Sequence, residues 1–456
     1  MSISHHPSSY RDPAGFLFYS EGVLYRQVNV SYKEDYDLLN SSGLYQHLLQ
    51  RRLIVPHQEV EINLTQTTQW YKTLQPELLP FISYPCEWSF DMLKDAALLT
   101  LDLTAEAMRF GMMMKDASAY NLQWHEGRMT LIDTLSFEKY DATKPWVAYR
   151  QFCEQFYAPL TLMHYTKTAM PQLLLAYPEG VPLAVASGLL PFRSKWNLNT
   201  YLHIHLQQKL ETKAGPGGEK KNFTATKLKN ILRGLKESIQ SFNLQNRSGV
   251  WSGYYEEAAN RHDYLAIKKA VIENWVYKLP VKRAVDLGAN EGEFSELLWK
   301  KNIFTISSDF DHYSINRLYH RAKKEAINNV QPLVIDLSNP TPAFGVNNVE
   351  RSSFISRCQT DLVMALALIH HLAIGKNMPF STIADLFRKL GRYLLIEFVP
   401  KEDEKIRIML QHRADVFPEY NIEQFLKEFT KHYRLLDQKE LGNSGRTLFL
   451  MQLHEA

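Results

Sequence analysis

The second half of the chain predicts an α/β domain built on a largely parallel sheet, and three observations support this fold class. Short β-rich runs alternate with amphipathic helical patterns, an order that requires right-handed crossovers and covers both sheet faces. A glycine-containing turn follows the first run, where a strand passes into a helix. The last two runs lie close together around residues 442–445, as in an antiparallel hairpin. The runs are residues 283–287, 303–308, 333–336, 361–367, 392–398, 433–436 and 447–453.

The length and composition of the chain predict more than one domain. A chain of 456 residues corresponds to two or three domains. Its 45% hydrophobic and 12% aromatic residues exclude the disordered, collagen-like and low-complexity classes. Glycine, proline and lysine crowd together at 213–227 without apolar periodicity, which indicates a linker. We therefore expect a domain at 1–212, a linker and helical connection at 213–244, and a second domain at 245–456.

The charge, the cysteines and the hydropathy of the chain argue against several classes of ligand and partner. A net charge of +3 gives no strong field for nucleic acid. The three cysteines are far apart and form no CxxC pair, so neither a disulfide framework nor a zinc site is indicated. His203 and His205 lack a third ligand nearby and are predicted to be exposed on a strand or helix surface. No window is apolar enough to span a membrane, and the chain does not start like a signal peptide. We expect a cytoplasmic protein with no membrane partner.

The strongest motif is the turn D-L-G-A-N-E-G at 286–292, directly after a predicted strand. Gly288 and Gly292 allow the backbone to turn tightly and a ligand to approach closely. A helix expected to begin near Glu291 would offer free N–H groups to an anionic group. An acidic residue about 20 positions on is the expected partner of ribose hydroxyls, and Asp309 stands there. The motif therefore predicts a nucleotide-like ligand.

This turn resembles motif I of the class I S-adenosylmethionine-dependent methyltransferases, and the resemblance extends from Trp251 to Met451. It departs from dinucleotide loops, because Asn290 stands at the middle glycine position. The resemblance implies a doubly wound, seven-stranded Rossmann-like sheet and S-adenosyl-L-methionine as the cofactor. Asp309 is expected at the ribose, Asp336 and Leu337 at the adenine, and Ala365 under the reacting end. The residues implied around the cofactor are Asp286, Gly288, Ala289, Gly292, Asp309, Asp336, Leu337 and Ala365.

Three residues are candidates for catalysis on the acceptor side. His370 and His371 follow the predicted fourth strand, at the carboxyl edge where open α/β sheets bind ligands. Either imidazole would accept a proton from a hydroxyl or amine nucleophile. Glu397, at the end of the fifth strand, is the other candidate base. A packed histidine pair and a buried ion pair at Glu397 remain open as structural alternatives, and methyl transfer requires no metal. Upstream, Tyr255 and Lys268 are candidates for contact with the ligand.

The first half contains Asp116, Asn121 and Asp133 at the spacing D-x-x-x-x-N followed by a strand-ending acid. This resembles the catalytic and metal-binding loops of protein-kinase-like phosphotransferases and implies an α+β kinase-like domain. The glycine-rich phosphate loop is missing, and Arg26 stands where a lysine is expected. We therefore expect weak Mg-ATP binding with slow or absent phosphotransfer. An unrelated α+β domain with a coincidental spacing remains the alternative.

The whole chain resembles bacterial methyltransferase-like proteins related to a nodulation protein. The predicted function is transfer of a methyl group from S-adenosyl-L-methionine to an acceptor that is a small molecule, a glycan or a protein. The kinase-like domain is expected to recognise that substrate. Two alternatives remain open. One is a bifunctional kinase and methyltransferase acting on a glycan or small metabolite, and the other is a cofactor-sensing binding protein.

Overall fold

The computed structural model describes residues 3–211, 224–244, 262–411 and 414–455. The chain divides into two compact units. The first is Met1–Gln245 with Gly345–Arg351, and the second is Asn246–Phe344 with Ser352–Ala456. The segment Gly345–Arg351 groups with the first unit although it lies within the sequence of the second. No sequence pattern indicated this grouping.

An antiparallel sheet and two helices form the first part of the first unit. Its elements are β1 (Ile3–His5), β2 (Gly15–Ser20), β3 (Val23–Asn29), α1 (Lys33–Ser41), α2 (Leu44–Gln50), β4 (His57–Val60) and β5 (Trp70–Pro76). The strand order is β1-β2-β3-β5-β4. β2 and β3 form a hairpin, joined by Glu21 and Gly22 at positive φ. α1 and α2 are separate helices, because the backbone turns at Gly43 with φ +85° between them.

The remainder of the first unit is mainly helical. Its elements are α3 (Phe90–Arg109), β6 (Met112–Met114), β7 (Leu122–His125), β8 (Arg128–Leu131), β9 (Phe137–Lys139), α4 (Tyr149–Phe152), α5 (Ala158–Thr166), α6 (Leu173–Ala176), α7 (Leu183–Leu189), α8 (Leu198–Thr200), α9 (Gln207–Glu211) and α10 (Ala225–Ser241). β6 pairs with β9 and β7 with β8 in two short ribbons. Two π-helical turns, Cys153–Tyr157 and Tyr201–Leu206, interrupt the later helices. The unit is α+β, and its kinase-like character stays a prediction.

The second unit is a seven-stranded sheet with helices between its strands. Its elements are α11 (His262–Lys278), β10 (Arg283–Leu287), α12 (Ser295–Trp299), β11 (Phe304–Asp309), α13 (His312–Lys324), β12 (Val330–Val334), α14 (Phe354–Arg357), β13 (Thr360–Ala365), α15 (Phe380–Arg388), β14 (Gly391–Phe398), α16 (Glu404–Leu410), α17 (Ile422–Phe429), β15 (Tyr433–Glu440) and β16 (Thr447–Leu453). The strand order is β12-β11-β10-β13-β14-β16-β15. β10 to β14 are parallel, and β16 is antiparallel to both of its neighbours. The predicted seven-stranded sheet with a closing hairpin is confirmed.

The central strands are apolar because both faces of the sheet are covered. Ala284, Val285 and Leu287 of β10 and Val363 of β13 are all fully buried, as expected for inner strands of a parallel sheet. From β10 the chain continues to β11 on one side, whereas β13 lies on the other side. The order therefore reverses between β10 and β13, and open α/β sheets bind ligands outside the carboxyl ends of strands at such a point.

Two predicted boundaries in this unit were wrong. The third strand was predicted over 333–336 but is β12, Val330–Val334. It contains Pro332, which is tolerated because β12 is an edge strand. The helix expected near Glu291 begins at Ser295, because the backbone turns at Gly292 with φ +83° before the helix begins. Among the helices of the described chain, none has the length and apolar character needed to cross a membrane.

Candidate functional site

A cavity opens beside the carboxyl ends of the central strands of the second unit. Its volume is about 920 Å³, including the open mouth. Six of the residues predicted to surround a cofactor line it, namely Asp286, Gly288, Ala289, Asp309, Asp336 and Leu337. The others that line it are Lys268, Asn290, Phe294, Phe310, Ile335, Leu366, Ala367, Leu368, His371, Leu372 and Lys376. The fold therefore brings most of the predicted cofactor residues to one place.

The glycine turn forms the floor of this cavity without a middle glycine. The backbone N–H groups of Gly288 and Ala289 both donate to the carbonyl of Ser308, at 2.8 and 3.0 Å. Gly288 has φ +75° and Asn290 has φ +51°. Asparagine enters the left-handed region more readily than most residues. Asn290 therefore supplies the conformation that a glycine would supply in a dinucleotide loop.

Gly292 and Ala365 were predicted to contact the cofactor, but neither is among the residues that line the cavity. A Cβ atom on Gly292 would lie 2.7 Å from Leu318 and 3.0 Å from Trp299. Gly292 is therefore required for close packing of the turn against α12 and α13. Ala365 is fully buried at the end of β13, and the next residues, Leu366 and Ala367, reach the cavity instead.

Two buried carboxyl groups dominate the electrostatics of the cavity. The Oδ2 atom of Asp309 accepts a hydrogen bond from the Asn290 N–H at 2.9 Å, and its Oδ1 accepts one from the Asp311 N–H at 2.8 Å. Burial raises the pKa of Asp309 to about 6. Asp286 accepts a hydrogen bond from the Ser295 hydroxyl at 2.6 Å, and burial raises its pKa to about 7. Hydroxyl or cationic donors of a ligand would stabilise both carboxylates.

One further polar atom indicates that the cavity suits a polar ligand. The side-chain oxygen of Asn290 is buried and has no hydrogen-bond partner among the described residues. A buried acceptor without a partner is destabilising unless a ligand or water donates to it. Asp309 and Asn290 therefore offer hydrogen-bond acceptors that fit the ribose hydroxyls and the amino groups of S-adenosyl-L-methionine.

The side of the cavity that is predicted to hold the adenine has an apolar wall and a polar edge. Ile335 and Leu337 are buried, and the Phe310 ring is 53% exposed beside Asp309. Asp336 accepts hydrogen bonds from the Ser338 N–H and hydroxyl, and its other oxygen lies 3.2 Å from the Lys376 ammonium. Burial would raise the pKa of Asp336, but these partners hold it below its ordinary value. Sequence reasoning missed Phe310, although a large aromatic residue directly after the acid predicted to bind the ribose was a visible signal.

The two adjacent histidines lie in different environments. His371 lines the cavity, whereas His370 is almost completely buried and does not line it. Their ring centroids are 4.0 Å apart. Burial lowers the pKa of His371 to about 4 and lowers the pKa of His370 well below its ordinary value. Both imidazoles are therefore neutral near pH 7, and the catalytic assignment remains a prediction that now favours His371 on geometry.

Glu397 lies in a buried ionic network that we call the Glu397 network: Tyr264, Lys268, Glu397, Asp403 and Arg446. Glu397 accepts from Lys268 Nζ at 2.6 Å, from the Tyr264 hydroxyl and from Arg446 at 3.4 Å. Arg446 also donates two hydrogen bonds to Asp403, at 2.8 and 3.1 Å. Burial would raise the pKa of Glu397, but the Lys268 and Arg446 cations hold it below its ordinary value.

This geometry favours the structural alternative for Glu397. Both of its oxygens are engaged by cations, and it is absent from the cavity wall. A carboxylate held ionised by two cations is a weak proton acceptor. Lys268 belongs to the Glu397 network and also lines the cavity, so this network connects the cavity wall to the buried interior of the second unit. Tyr255, the other residue predicted to touch the ligand, lies outside the described residues.

The candidate nucleotide residues of the first unit also lie together. The Asn121 amide donates a hydrogen bond of 3.4 Å to the Ser136 hydroxyl, which itself donates to Asp133. Burial is the main cause that raises the pKa of Asp116, and the charge of Asp133 adds to it. Arg26 on β3 forms an ion pair with Asp133, which also accepts from the Ser136 hydroxyl at 2.6 Å. Burial would raise the pKa of Asp133, but Arg26 holds it below its ordinary value. The carboxylate predicted to bind Mg²⁺ is thus neutralised by a side chain.

His203 and His205 are buried, so the prediction of exposed histidines was wrong. The Tyr149 hydroxyl lies 2.7 Å from His203, and the hydroxyls of Ser187 and Ser194 lie 2.8 and 2.9 Å from His205. The π-helical turn directs both rings inward, which a strand pattern does not anticipate. Within the described ranges, no group of three or more His, Cys, Asp or Glu side chains is arranged to hold a metal ion.

The sheet order, the glycine turn and the acid that ends β11 define the fold of the second unit as that of the class I S-adenosylmethionine-dependent methyltransferases. The chain is 32% identical over 468 residues to the nodulation protein NoeA of Rhizobium meliloti strain 1021, covering 98% of this chain and 96% of that relative. The chain therefore belongs to the NoeA family. No protein-family model matches the chain.

Solved structures similar to this chain include three methyltransferases. The N-methyltransferase NodS from Bradyrhizobium japonicum WM9 is 14% identical, with 42% of this chain and 97% of that chain covered and a TM-score of 0.32. The bifunctional kinase-methyltransferase WbdD is 19% identical over 43% of this chain and 39% of that chain, with a TM-score of 0.27. Magnesium protoporphyrin IX methyltransferase from Synechocystis PCC 6803, with bound S-adenosylhomocysteine, is 14% identical over 42% and 84%, with a TM-score of 0.30.

Proposed function

We propose that the protein transfers a methyl group from S-adenosyl-L-methionine to an acceptor substrate. The observation that carries the proposal is the position of Asp309, which lines the cavity beside the glycine turn and keeps acceptor capacity on both carboxylate oxygens. The unpartnered oxygen of Asn290 adds a second acceptor, considering the described residues alone. When bound, S-adenosyl-L-methionine supplies a methyl group on a sulfonium, which is already a good leaving group.

In this reaction the residues that line the cavity bind the cofactor, exclude water and accept a proton. Asp309 and Asn290 hold the polar groups of the cofactor. Leu366, Leu368 and Leu372 form an apolar wall that excludes water from the cavity. Such a wall favours an in-line approach of the acceptor at about 3–3.5 Å. His371, neutral near pH 7, accepts the proton of a hydroxyl or amine acceptor.

Replacement of His371 by alanine is expected to lower methyl transfer by about tenfold to 10²-fold, at the low end for a positioned base because a pKa lowered to about 4 makes the imidazole a weak proton acceptor. Affinity for the cofactor should stay within a few-fold, because in this proposal the imidazole acts on the acceptor and not on the cofactor. Transfer of labelled methyl groups to acceptors extracted from the source cells, followed by mass spectrometry, measures the effect. His320→Ala on the exposed side of α13 is the matched control. Full transfer by His371→Ala would make this histidine structural.

We propose that the first unit recognises the methyl acceptor and does not transfer phosphate. Arg26 already neutralises Asp133, so Mg²⁺ would have to displace a buried ion pair before it could bind there. The arrangement also has no visible glycine-rich cradle for phosphates in its sequence. This supports a recognition role over the bifunctional kinase and methyltransferase.

Addition of millimolar Mg-ATP to the full chain is expected to change the unfolding temperature of the first unit only slightly. A ligand at 100 times its Kd would stabilise a fold by about 2.7 kcal/mol, so a weak site gives a far smaller shift. Differential scanning calorimetry with ATP, GTP and ADP measures this. Rapid ATP hydrolysis that Asp116→Ala abolishes would instead establish a bifunctional enzyme.

The cofactor-sensing alternative predicts a different outcome in the methyl-transfer assay. A sensor would bind S-adenosyl-L-methionine tightly, yet no extract would yield a labelled product. The enzyme should produce S-adenosylhomocysteine in equal amount with a methylated acceptor. Quantifying both products by mass spectrometry therefore distinguishes the two.

A further inference from the structure

An exposed aromatic and cationic surface lies in the helical part of the first unit. We call it the Trp196 surface and define it by Leu189, Phe192, Lys195, Trp196 and Leu198. Trp196 is 80% exposed and Phe192 is 68% exposed, and both leucines are mostly exposed as well. Large apolar side chains are seldom exposed so close together in a short segment without a binding role.

A short helical segment brings the two aromatic rings and the lysine of this surface together. Residues Phe192–Trp196 form a 3₁₀ helix, in which side chains three positions apart lie on the same side, so Lys195 lies on the side of Phe192. The rings of Phe192 and Trp196 meet edge to face with centroids 6.3 Å apart. The Lys195 ammonium lies 5.0 Å from the centroid of the Phe192 ring. The surface therefore presents aromatic rings and a cation as one group.

The chain segment that carries this surface has charges of a single sign. Between Glu179 and Glu211 the sequence contains no acidic residue, whereas Arg193, Lys195 and Lys209 are cationic. Arg193 is held in place by a hydrogen bond of 2.7 Å to the Tyr165 carbonyl. An anionic surface would be complementary to this segment.

We propose that the Trp196 surface binds the headgroup region of an anionic lipid bilayer. Tryptophan and phenylalanine place apolar rings at the level of the headgroups, while lysine and arginine attract anionic lipids. The expectation of no membrane partner rested on the lack of a spanning segment, and surface binding does not need one. This inference is independent of the methyl-transfer reaction.

Sedimentation of the full chain with vesicles tests the proposal. Vesicles of phosphatidylcholine and phosphatidylglycerol in equal parts should bind the protein, and vesicles of phosphatidylcholine alone should bind it much less. The double change Phe192→Ser and Trp196→Ser should weaken binding by at least about tenfold, because two apolar rings no longer enter the bilayer. Lys195→Gln should weaken binding to the anionic vesicles by about fivefold.

Tyr277→Ser provides the matched control, because Tyr277 is an 82% exposed aromatic residue in the second unit. It should leave vesicle binding unchanged. The proposal is overturned if the unaltered protein binds neither kind of vesicle, or if the Trp196 surface variants bind as well as it does. Sedimentation velocity adds one more outcome. A dimer that the Phe192 and Trp196 changes dissociate would show that a second copy covers this surface instead of lipid.

Discussion

Replacement of Glu397 by glutamine is expected to lower the free energy of unfolding of the second unit by about 3–5 kcal/mol, the range for breaking a buried ion pair from one side. Lys268, Glu397 and Arg446 are all buried, so loss of the carboxylate leaves cations without full compensation in a region of low dielectric. Arg446 keeps its ion pair with Asp403, whereas Lys268 loses the carboxylate with which it forms its buried ion pair. Thermal unfolding should show the second unit melting about 10 °C earlier.

The neighbouring ion pair offers a matched control. Lys269 follows Lys268 in the sequence and pairs with Glu293, but both of those side chains are partly exposed. Glu293→Gln should therefore change the free energy of unfolding by less than about 1 kcal/mol. Equal effects of the two substitutions would show that burial of the Glu397 network contributes nothing to stability.

Replacement of Asp309 by alanine is expected to weaken binding of S-adenosyl-L-methionine by about tenfold or more. The carboxylate would accept hydrogen bonds from both ribose hydroxyls, and loss of such a charged pair of bonds removes about 1.5–3 kcal/mol. Isothermal titration calorimetry with S-adenosylhomocysteine and S-adenosyl-L-methionine measures the change. Asp385→Ala, which removes an exposed carboxylate on α15, is the control and should bind both ligands normally. Equal affinity of wild type and Asp309→Ala would remove Asp309 from the cofactor site.

The pH dependence of binding gives an independent check on Asp309. Burial raises the pKa of its carboxyl group to about 6, so the group takes up a proton as the pH falls through that value. A protonated carboxyl offers less acceptor capacity, and cofactor affinity of the wild type should therefore decline between pH 7 and pH 5. Asp309→Asn should lose this part of the pH dependence. An unchanged profile in Asp309→Asn would assign the pH effect to another group, such as Asp286.

Patterns that act over a few residues were sufficient to predict the sheet of the second unit. The alternation of apolar runs and helical periodicity indicated β10 to β16, because strand burial and helix amphipathicity leave a direct record in sequence. The glycine turn and Asp309 were also predicted, since a tight turn and a strand-ending acid each depend on local backbone geometry. Boundaries were less certain, as β12 shows, because an edge strand tolerates Pro332 where an inner strand would not.

The chain by itself thus determined the sheet of the second unit, the position of the turn and the acid beside it. Only the tertiary structure decided which candidate side chains reach the cavity. His370 and His371 are adjacent in sequence, yet packing buries the first and leaves the second in the cavity wall. Glu397 meets Lys268 and Arg446 from distant segments, and Arg26 meets Asp133 across the first unit. The physical reason is that ion pairs and close packing depend on which segments the fold brings into contact, and short sequence patterns do not record those contacts.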